Sequence, residues 1–549
     1  MNNKPRYDPE DPAVVMKAMT DMFTLLAIVM GFLWLSGFSI AGLGFLAAVP
    51  IALPGNLLLR GPLVIRWVLA KRDNNRPLAP DEILLGETHE WPHAPVTLND
   101  HQREGHLAIL GRMGSGKSTQ MKYMAMQDIL QHRPIILMDP HSALAEETAH
   151  LCLRYGREPV LLQPDPYWMN TMNLLETGPD YGPMDAARTV TEGLVQVYLP
   201  YQHEVPMRIR HLVTVAAYML ATADEGFTLL EMTRWMLQAN FRDYLARKTF
   251  QVTRNLRWLE SSQELSSLQW LNSLTRTQLH DQIQSSWTRI SGLLNHPDAQ
   301  RMLGCSRGTF SFKEIRAGTP LLVGIGEETF HRTGHLLNAL FITWITKRLL
   351  EVPRNIGRSD PISLYVDELA EISPESFERL LRHARKRSVR LTVAVQAQTM
   401  LNRNLYGTLM GNISNLLIFG SSGPGVEELA REICRPDETE RRAGSATHYA
   451  ELERQLNDMA SRIRDLPTHE FLLLQSTRPG PPRHCRSGMV VHPTSEAVQT
   501  AIEQALKHRG KDVKSIDKEI HERTAELDSK FGPLHEFGVQ ELPGEIAPW

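Results

Sequence analysis

The chain has 549 residues, a formal net charge of −3 and 42% apolar residues, which is more than one ordinary domain and ample for a sizeable core. That near-neutral balance excludes a protein that binds nucleic acid by bulk charge, so any such surface has to be a local patch. Four scattered cysteines, Cys152, Cys305, Cys434 and Cys485, form no C-x-x-C or Cys/His cluster, which argues against a disulfide framework or a cysteine zinc site and fits a reducing cytosol.

Taken in order, the first feature is a stretch without charge between Asp21 and Arg60, apolar over Phe23–Trp34 and again over Ile40–Leu53. One bilayer crossing needs about 20 apolar residues. The stretch is too long for one span and suits two short ones, a hairpin over 22–59. Lys4, Arg6 and Lys17 precede it and Arg60, Arg66, Lys71 and Arg72 follow it, as two cytoplasmic ends require. Residues 1–21 are then a cytoplasmic N-terminus and 60–80 a linker. A single tilted span and a buried soluble hairpin are the alternatives.

Short strand-like runs, Ile83-Leu84-Leu85 and Pro95–Leu98, lead to the most informative stretch. An apolar strand, His106–Leu110, runs into Gly111-Arg112-Met113-Gly114-Ser115-Gly116-Lys117-Ser118-Thr119 and then a helix over Gln120–Leu130. This is G-x-x-x-x-G-K-[ST]: glycines let backbone N–H groups turn inward around a phosphate, and the helix N-terminus adds its positive end. Lys117 reaches the β- and γ-phosphates and the Ser118 hydroxyl ligates Mg²⁺. The chain therefore binds a nucleoside triphosphate. Pro134–Met138, ending in Asp139-Pro140, and Pro159–Leu162 read as further strands of a mostly parallel sheet.

From about Asp185 to Gln300 the period becomes helical, over Ala186–Tyr198, Met207–Ala221, Leu229–Arg247, Thr253–Leu259 and Gln278–Leu294. This is an all-α insertion, 185–309, whose tryptophans (Trp235, Trp258, Trp270, Trp287) are expected to pack its core. The nucleotide-binding domain is thus split into 81–184 and 310–490. Its second half brings Pro320–Ile325, a helix at Gly334–Leu350, and the apolar strand Pro361–Val366 followed by Asp367-Glu368. Such a strand end is the acidic partner of a phosphate loop: Asp367 orients Mg²⁺ and Glu368 polarises the attacking water. Asp139 is a rival for the magnesium role, but its neighbour is proline rather than a second carboxylate.

A basic helix follows, with Arg379, Arg382, Arg385, Lys386, Arg387 and, at its end, Arg390, leading into Leu391–Gln398. An arginine here could reach a γ-phosphate in a neighbouring subunit, the helix could line a nucleic-acid path, or it could be a solvated face. Gln396, at a strand end, is placed to sense the γ-phosphate. Asn415–Gly420 and Glu470–Gln475 read as the last strands. The tail, 491–549, is helical at first, then charged, and is expected to be partly disordered and to dock a partner.

The order of parts, from membrane hairpin through phosphate loop, helical insertion and Leu364-Tyr365-Val366-Asp367-Glu368 to an Arg-rich helix before Ala394-Val395-Gln396-Ala397-Gln398, resembles the type IV coupling proteins of conjugation and type IV secretion, within the HerA/FtsK group of RecA-like motors. The resemblance spans roughly residues 20–490. It implies an α/β RecA-like P-loop motor, a homo-hexamer in the bacterial inner membrane with its bulk in the cytoplasm. Such a motor hydrolyses ATP with Mg²⁺ and passes relaxase-bound single-stranded DNA to the secretion channel. It also implies Lys117, Glu368 and Gln396 as catalytic groups, Arg385 or Arg387 as the arginine acting in trans, and Ser118 and Asp367 at the metal. Two features depart from the pattern: the hairpin has no sizeable extracytoplasmic loop, and the tail matches no substrate-docking sequence. The alternatives are a motor or docking platform for protein substrates and a double-stranded DNA translocase.

Overall fold

The strands around the phosphate loop form the middle of a single sheet. In a computed structural model, residues 78–90, 93–196, 207–252, 271–350, 361–371, 374–396, 401, 403–423, 425–434 and 447–534 are described, and all belong to one compact unit of the chain. The hairpin expected over 22–59 lies outside these residues. Among the described residues, no helix is long and apolar enough to cross a membrane.

The sheet has eleven strands, in the order β2-β1-β12-β11-β10-β3-β9-β8-β4-β7-β5. They are β1 (Glu82–Thr88), β2 (Pro95–Asn99), β3 (Leu107–Leu110), β4 (Ile135–Asp139), β5 (Val160–Leu162), β7 (Leu321–Gly324), β8 (Ile362–Val366), β9 (Val389–Val395), β10 (Asn415–Phe419), β11 (Glu470–Gln475) and β12 (Arg478–Ser487). A two-stranded piece, β6 (Trp168–Met169) with β13 (Lys511–Asp512), stands apart.

From β10 to β5 every pairing is parallel. These strands are buried along their whole length, because helices cover both faces and no alternation is needed. From β10 outward through β11, β12, β1 and β2 the pairing is antiparallel. There β1 and β2 alternate, Ile83, Leu85, Val96 and Leu98 inward.

β12 is absent from the sequence expectation. Its Arg478-Pro-Gly-Pro-Pro-Arg483 start carries turn residues, not a strand pattern. The basic segment also differs from its reading. The helix stops at His383, a 3₁₀ turn covers Ala384–Arg387, and Ser388 turns the chain with φ 55°. Arg390 is therefore not a helix end. It lies inside β9, buried, and pairs with Asp100 at 2.8 Å.

Helices occupy the region between β6 and β7, among them Pro183–Gln196, Met207–Ala223, Ala239–Val252 and Arg276–Leu294. Trp235 is fully buried there, as a core residue would be, and Trp287 packs on the same core. Trp258 and Trp270 lie outside the described residues. The tail is more ordered than its charge suggests. Helix Ser495–Arg509 packs on helix Ala143–Arg154, and helix Val513–Phe531 packs on the helical region. Several ties hold it: Val513, Ile516 and Leu527 are buried in the core, Lys511-Asp512 pairs with Trp168-Met169, Arg301 donates to both Asp517 oxygens at 2.8 and 2.9 Å, and Arg523 donates to the buried Glu231 at 2.9 Å and to the Gly304 carbonyl at 2.6 Å. Residues 535–549 lie outside the described part.

Candidate active site

Parallel pairing brings the carboxyl ends of β3, β9 and β8 side by side, Leu110 opposite Val395 and Val366 opposite Val393. Each strand hands its next residue to one crevice, where ligands of open α/β sheets bind. Gly111 N–H donates to the Val395 carbonyl at 3.2 Å and Arg112 N–H to that of Gly420 at 2.9 Å, so the phosphate loop is anchored on two neighbouring strands. A Cβ on Gly111 would lie 2.6 Å from that of Phe419. Gly114 and Gly116 take φ of 73° and 111°, open to glycine and costly for other residues. Gly116 also backs onto His469, whose N–H donates to the Ser115 carbonyl at 2.9 Å.

Helix Lys117–Leu130 starts where the loop ends. The loop exposes Arg112, Met113, Gly114 and Ser118, leaves Thr119 half-buried, and buries Ser115 and Lys117. Lys117 Nζ donates to the Arg112 carbonyl at 3.1 Å, folded back over the space its own loop encloses. Burial lowers its pKa, with Glu368 and Asp367 pulling the other way. Ser118 Oγ donates to Asp367 Oδ2 at 2.8 Å, joining the phosphate loop to the end of β8. Those two oxygens are the pair that would share a magnesium ion.

Glu368 is buried and held at φ 48°, a strained setting for a non-glycine residue that recurs at functional sites. Gln396 Nε2, one residue past β9, donates to its Oε1 at 2.8 Å. Burial raises the Glu368 pKa; the Gln396 bond and Lys117 oppose this and Asp367 adds to it. A carboxylate so placed accepts a proton more readily than a solvated one.

Asp139 ends β4, next to Asp367, whose N–H donates to the Met138 carbonyl. Its oxygens accept from the N–H groups of His141 (2.9 Å), Leu144 (2.7 Å) and Ala145 (3.2 Å), closing the start of the next helix. Burial pushes its pKa up to about 6, with Asp367 adding to this. Its oxygens are committed to three backbone N–H groups, whereas Asp367 accepts one, from Glu368 at 3.1 Å, and otherwise, among the described residues, only the Ser118 hydroxyl. Arg385 and Arg387 are not brought to this crevice. Their turn precedes β9, so they stand at the opposite end of the sheet, roughly 20 Å away at about 3.3 Å per strand residue. Arg385 is exposed and acts on His106 there. His469 is the neighbour that sequence reasoning missed; it stands 353 positions after Gly116 and only the sheet order joins them.

The family described as the TraM recognition site of TraD and TraG matches residues 361–468, a span that starts at β8 and contains Asp367, Glu368 and Gln396. Among solved structures, an unbound form of the bacterial conjugative coupling protein TrwB has a TM-score of 0.53 at 16% identity, over 79% of this chain and 93% of that one. The chain resembles the type IV coupling proteins. TrwB in complex with ADP and Mg²⁺ follows at 0.51 and 16%, over 78% and 94%. TrwB with a non-hydrolysable ATP analogue scores 0.50 at 15%, over 78% and 93%. No curated protein sequence matches the chain. At these identities the coupling-protein structures establish the fold.

Proposed function

We propose that the chain is a membrane-anchored, ATP- and Mg²⁺-dependent motor of a conjugative or type IV secretion system, which receives relaxase-bound single-stranded DNA and drives it into the channel. The observation that carries this reading is the 2.8 Å contact between Ser118 Oγ and Asp367 Oδ2, with Glu368 and Lys117 beside it. A magnesium site, a phosphate-binding lysine and a buried carboxylate for water then meet at one point. The match to the TraM recognition region and the TrwB fold supports the conjugative setting. TrwB has been solved with ADP and Mg²⁺, which supports the same ligands here.

In this reading the phosphate loop, Gly111–Thr119, cradles the phosphates and Lys117 neutralises charge on the β- and γ-oxygens. Ser118 and Asp367 hold the metal, Glu368 takes a proton from the attacking water, and Gln396 holds Glu368 and senses the γ-phosphate. Arg385 or Arg387 acts only from a neighbouring subunit, which supports a ring, and we take it as a hexamer. The uncharged stretch 22–59 supports two spans in the inner membrane with the motor in the cytoplasm.

The test is ATP hydrolysis by the full-length chain with and without single-stranded DNA, with Lys117→Ala as control. DNA-stimulated hydrolysis that Lys117→Ala abolishes is the expected result. Hydrolysis that DNA leaves unchanged turns the reading toward protein substrates.

A further inference from the structure

The sheet's antiparallel half gathers a second polar cluster, which the nucleotide chemistry does not use. Glu470 opens β11, His484 lies on β12, and His89 directly follows β1, the next strand over. Glu470 pairs in register with Arg486, so His484, two residues earlier, stands on the same face of the sheet. The His89 N–H donates to the His484 carbonyl at 2.9 Å, fixing the third residue beside the second. The imidazoles stack, centroids 4.2 Å apart and 15° from parallel.

Both rings turn a nitrogen to one carboxylate oxygen. His484 Nε2 lies 2.8 Å and His89 Nδ1 3.3 Å from Glu470 Oε2. All three atoms lie within 4.8 Å of one another, the only such His/Cys/Asp/Glu group among the described residues. Glu470 is 95% buried (5% exposed), yet its Oε2 and the buried His484 Nε2 have no hydrogen-bond partner, even each other. Three potential ligand atoms are thus gathered within reach of a single ion. A tetrahedral ion with bonds of about 2.0–2.2 Å keeps its ligands roughly 3.3 Å apart; His89 Nδ1 stands at that spacing from Glu470 Oε2, and His484 Nε2, at 2.8 Å, would move outward by about half an ångström.

We propose that His89, His484 and Glu470 form a binding site for a divalent transition metal, zinc foremost. Two imidazoles and one carboxylate suit such an ion; magnesium and calcium prefer an all-oxygen set. His89 is 44% exposed, so the fourth position is open to water. Arg486, 3.4 Å from Glu470 Oε1, takes the other carboxylate oxygen and orients it. Arg462 is the further cation acting on His484. The ion would tie β1, β11 and β12 together beside His469, which backs the phosphate loop.

The test is calorimetric titration of the EDTA-stripped, nucleotide-free full-length chain with ZnCl₂, with metal content read by mass spectrometry after dialysis. Wild type is expected to hold one zinc that both His89→Ala and His484→Ala weaken by about tenfold or more. MgCl₂ should not compete. His89→Ala removes an exposed ring beyond a strand end and keeps the fold, checked by circular dichroism, should His484→Ala fail to fold. Zinc bound equally by wild type and His89→Ala, or no zinc retained by wild type, overturns the proposal.

Discussion

The two ends of the central strands both bury charge, and they handle it in opposite ways. At the amino ends of β3, β8 and β9, Asp128 accepts from Arg103 Nη1 at 2.7 Å and Nη2 at 2.6 Å, from the Tyr365 hydroxyl at 2.6 Å and from Arg133 at 3.3 Å. Although burial opposes it, Arg103 holds the Asp128 carboxyl well below the usual range. Every oxygen of Asp128 is used and the cluster is closed. At the carboxyl ends, Lys117, Ser118, Asp367 and Glu368 have few partners each, and burial moves Lys117 down and Glu368 up, toward their neutral forms. A closed cluster stabilises the fold, whereas an open one is completed by a ligand that brings both phosphate charge and a cation. Buried charge alone therefore does not mark a site; incompletely matched buried charge does.

Lys117→Ala removes the phosphate cation, so steady-state ATP hydrolysis should fall by about 10²–10³ while the circular dichroism spectrum stays unchanged. Asp128→Ala leaves the buried Arg103 guanidinium without its carboxylate, while Arg133 keeps Asp100, and should cost about 3–5 kcal/mol in chemical denaturation. If the comparison is right, Lys117→Ala spares stability and Asp128→Ala lowers it. Arg523→Ala strips the buried Glu231 of its cation and loosens the tail helix, at a cost of about 2 kcal/mol with faster proteolysis near Phe531.

The smallest effect concerns pH. The folded-state pKa of Asp139 is raised, so its contribution to stability is full below the ordinary aspartate range and is lost as pH rises through about 6. Asp139→Asn removes that titration. In EDTA without nucleotide, its thermal midpoint should change less than that of wild type across this window.

The phosphate loop was legible because its chemistry needs contiguous residues at fixed spacing, and Asp367-Glu368 because an apolar run ends on it. The parallel strands were legible from unbroken apolar runs such as Leu107–Leu110 and Ile135–Met138. The Arg103–Asp128–Tyr365 cluster was not, since its members come from three distant segments and look like ordinary helix and strand residues. The same holds for His89, Glu470 and His484, which meet only because β1, β12 and β11 are neighbours. β12 was hidden by its proline- and glycine-rich start. The order of the tail was hidden because its apolar stripe, Val513, Ile516, Ile520, Leu527 and Phe531, is sparse among charged residues and is completed by long-range bonds such as that of Arg523.

The central claim is that the open cluster hydrolyses a nucleotide, with Glu368 taking the proton from water. The most direct measurement is fluorescent ATP binding alongside single-turnover hydrolysis in Glu368→Gln, which keeps the shape of the side chain and removes the base. Binding within about threefold of wild type and hydrolysis slowed by about 10² or more are expected. Hydrolysis at the wild-type rate in Glu368→Gln would contradict it.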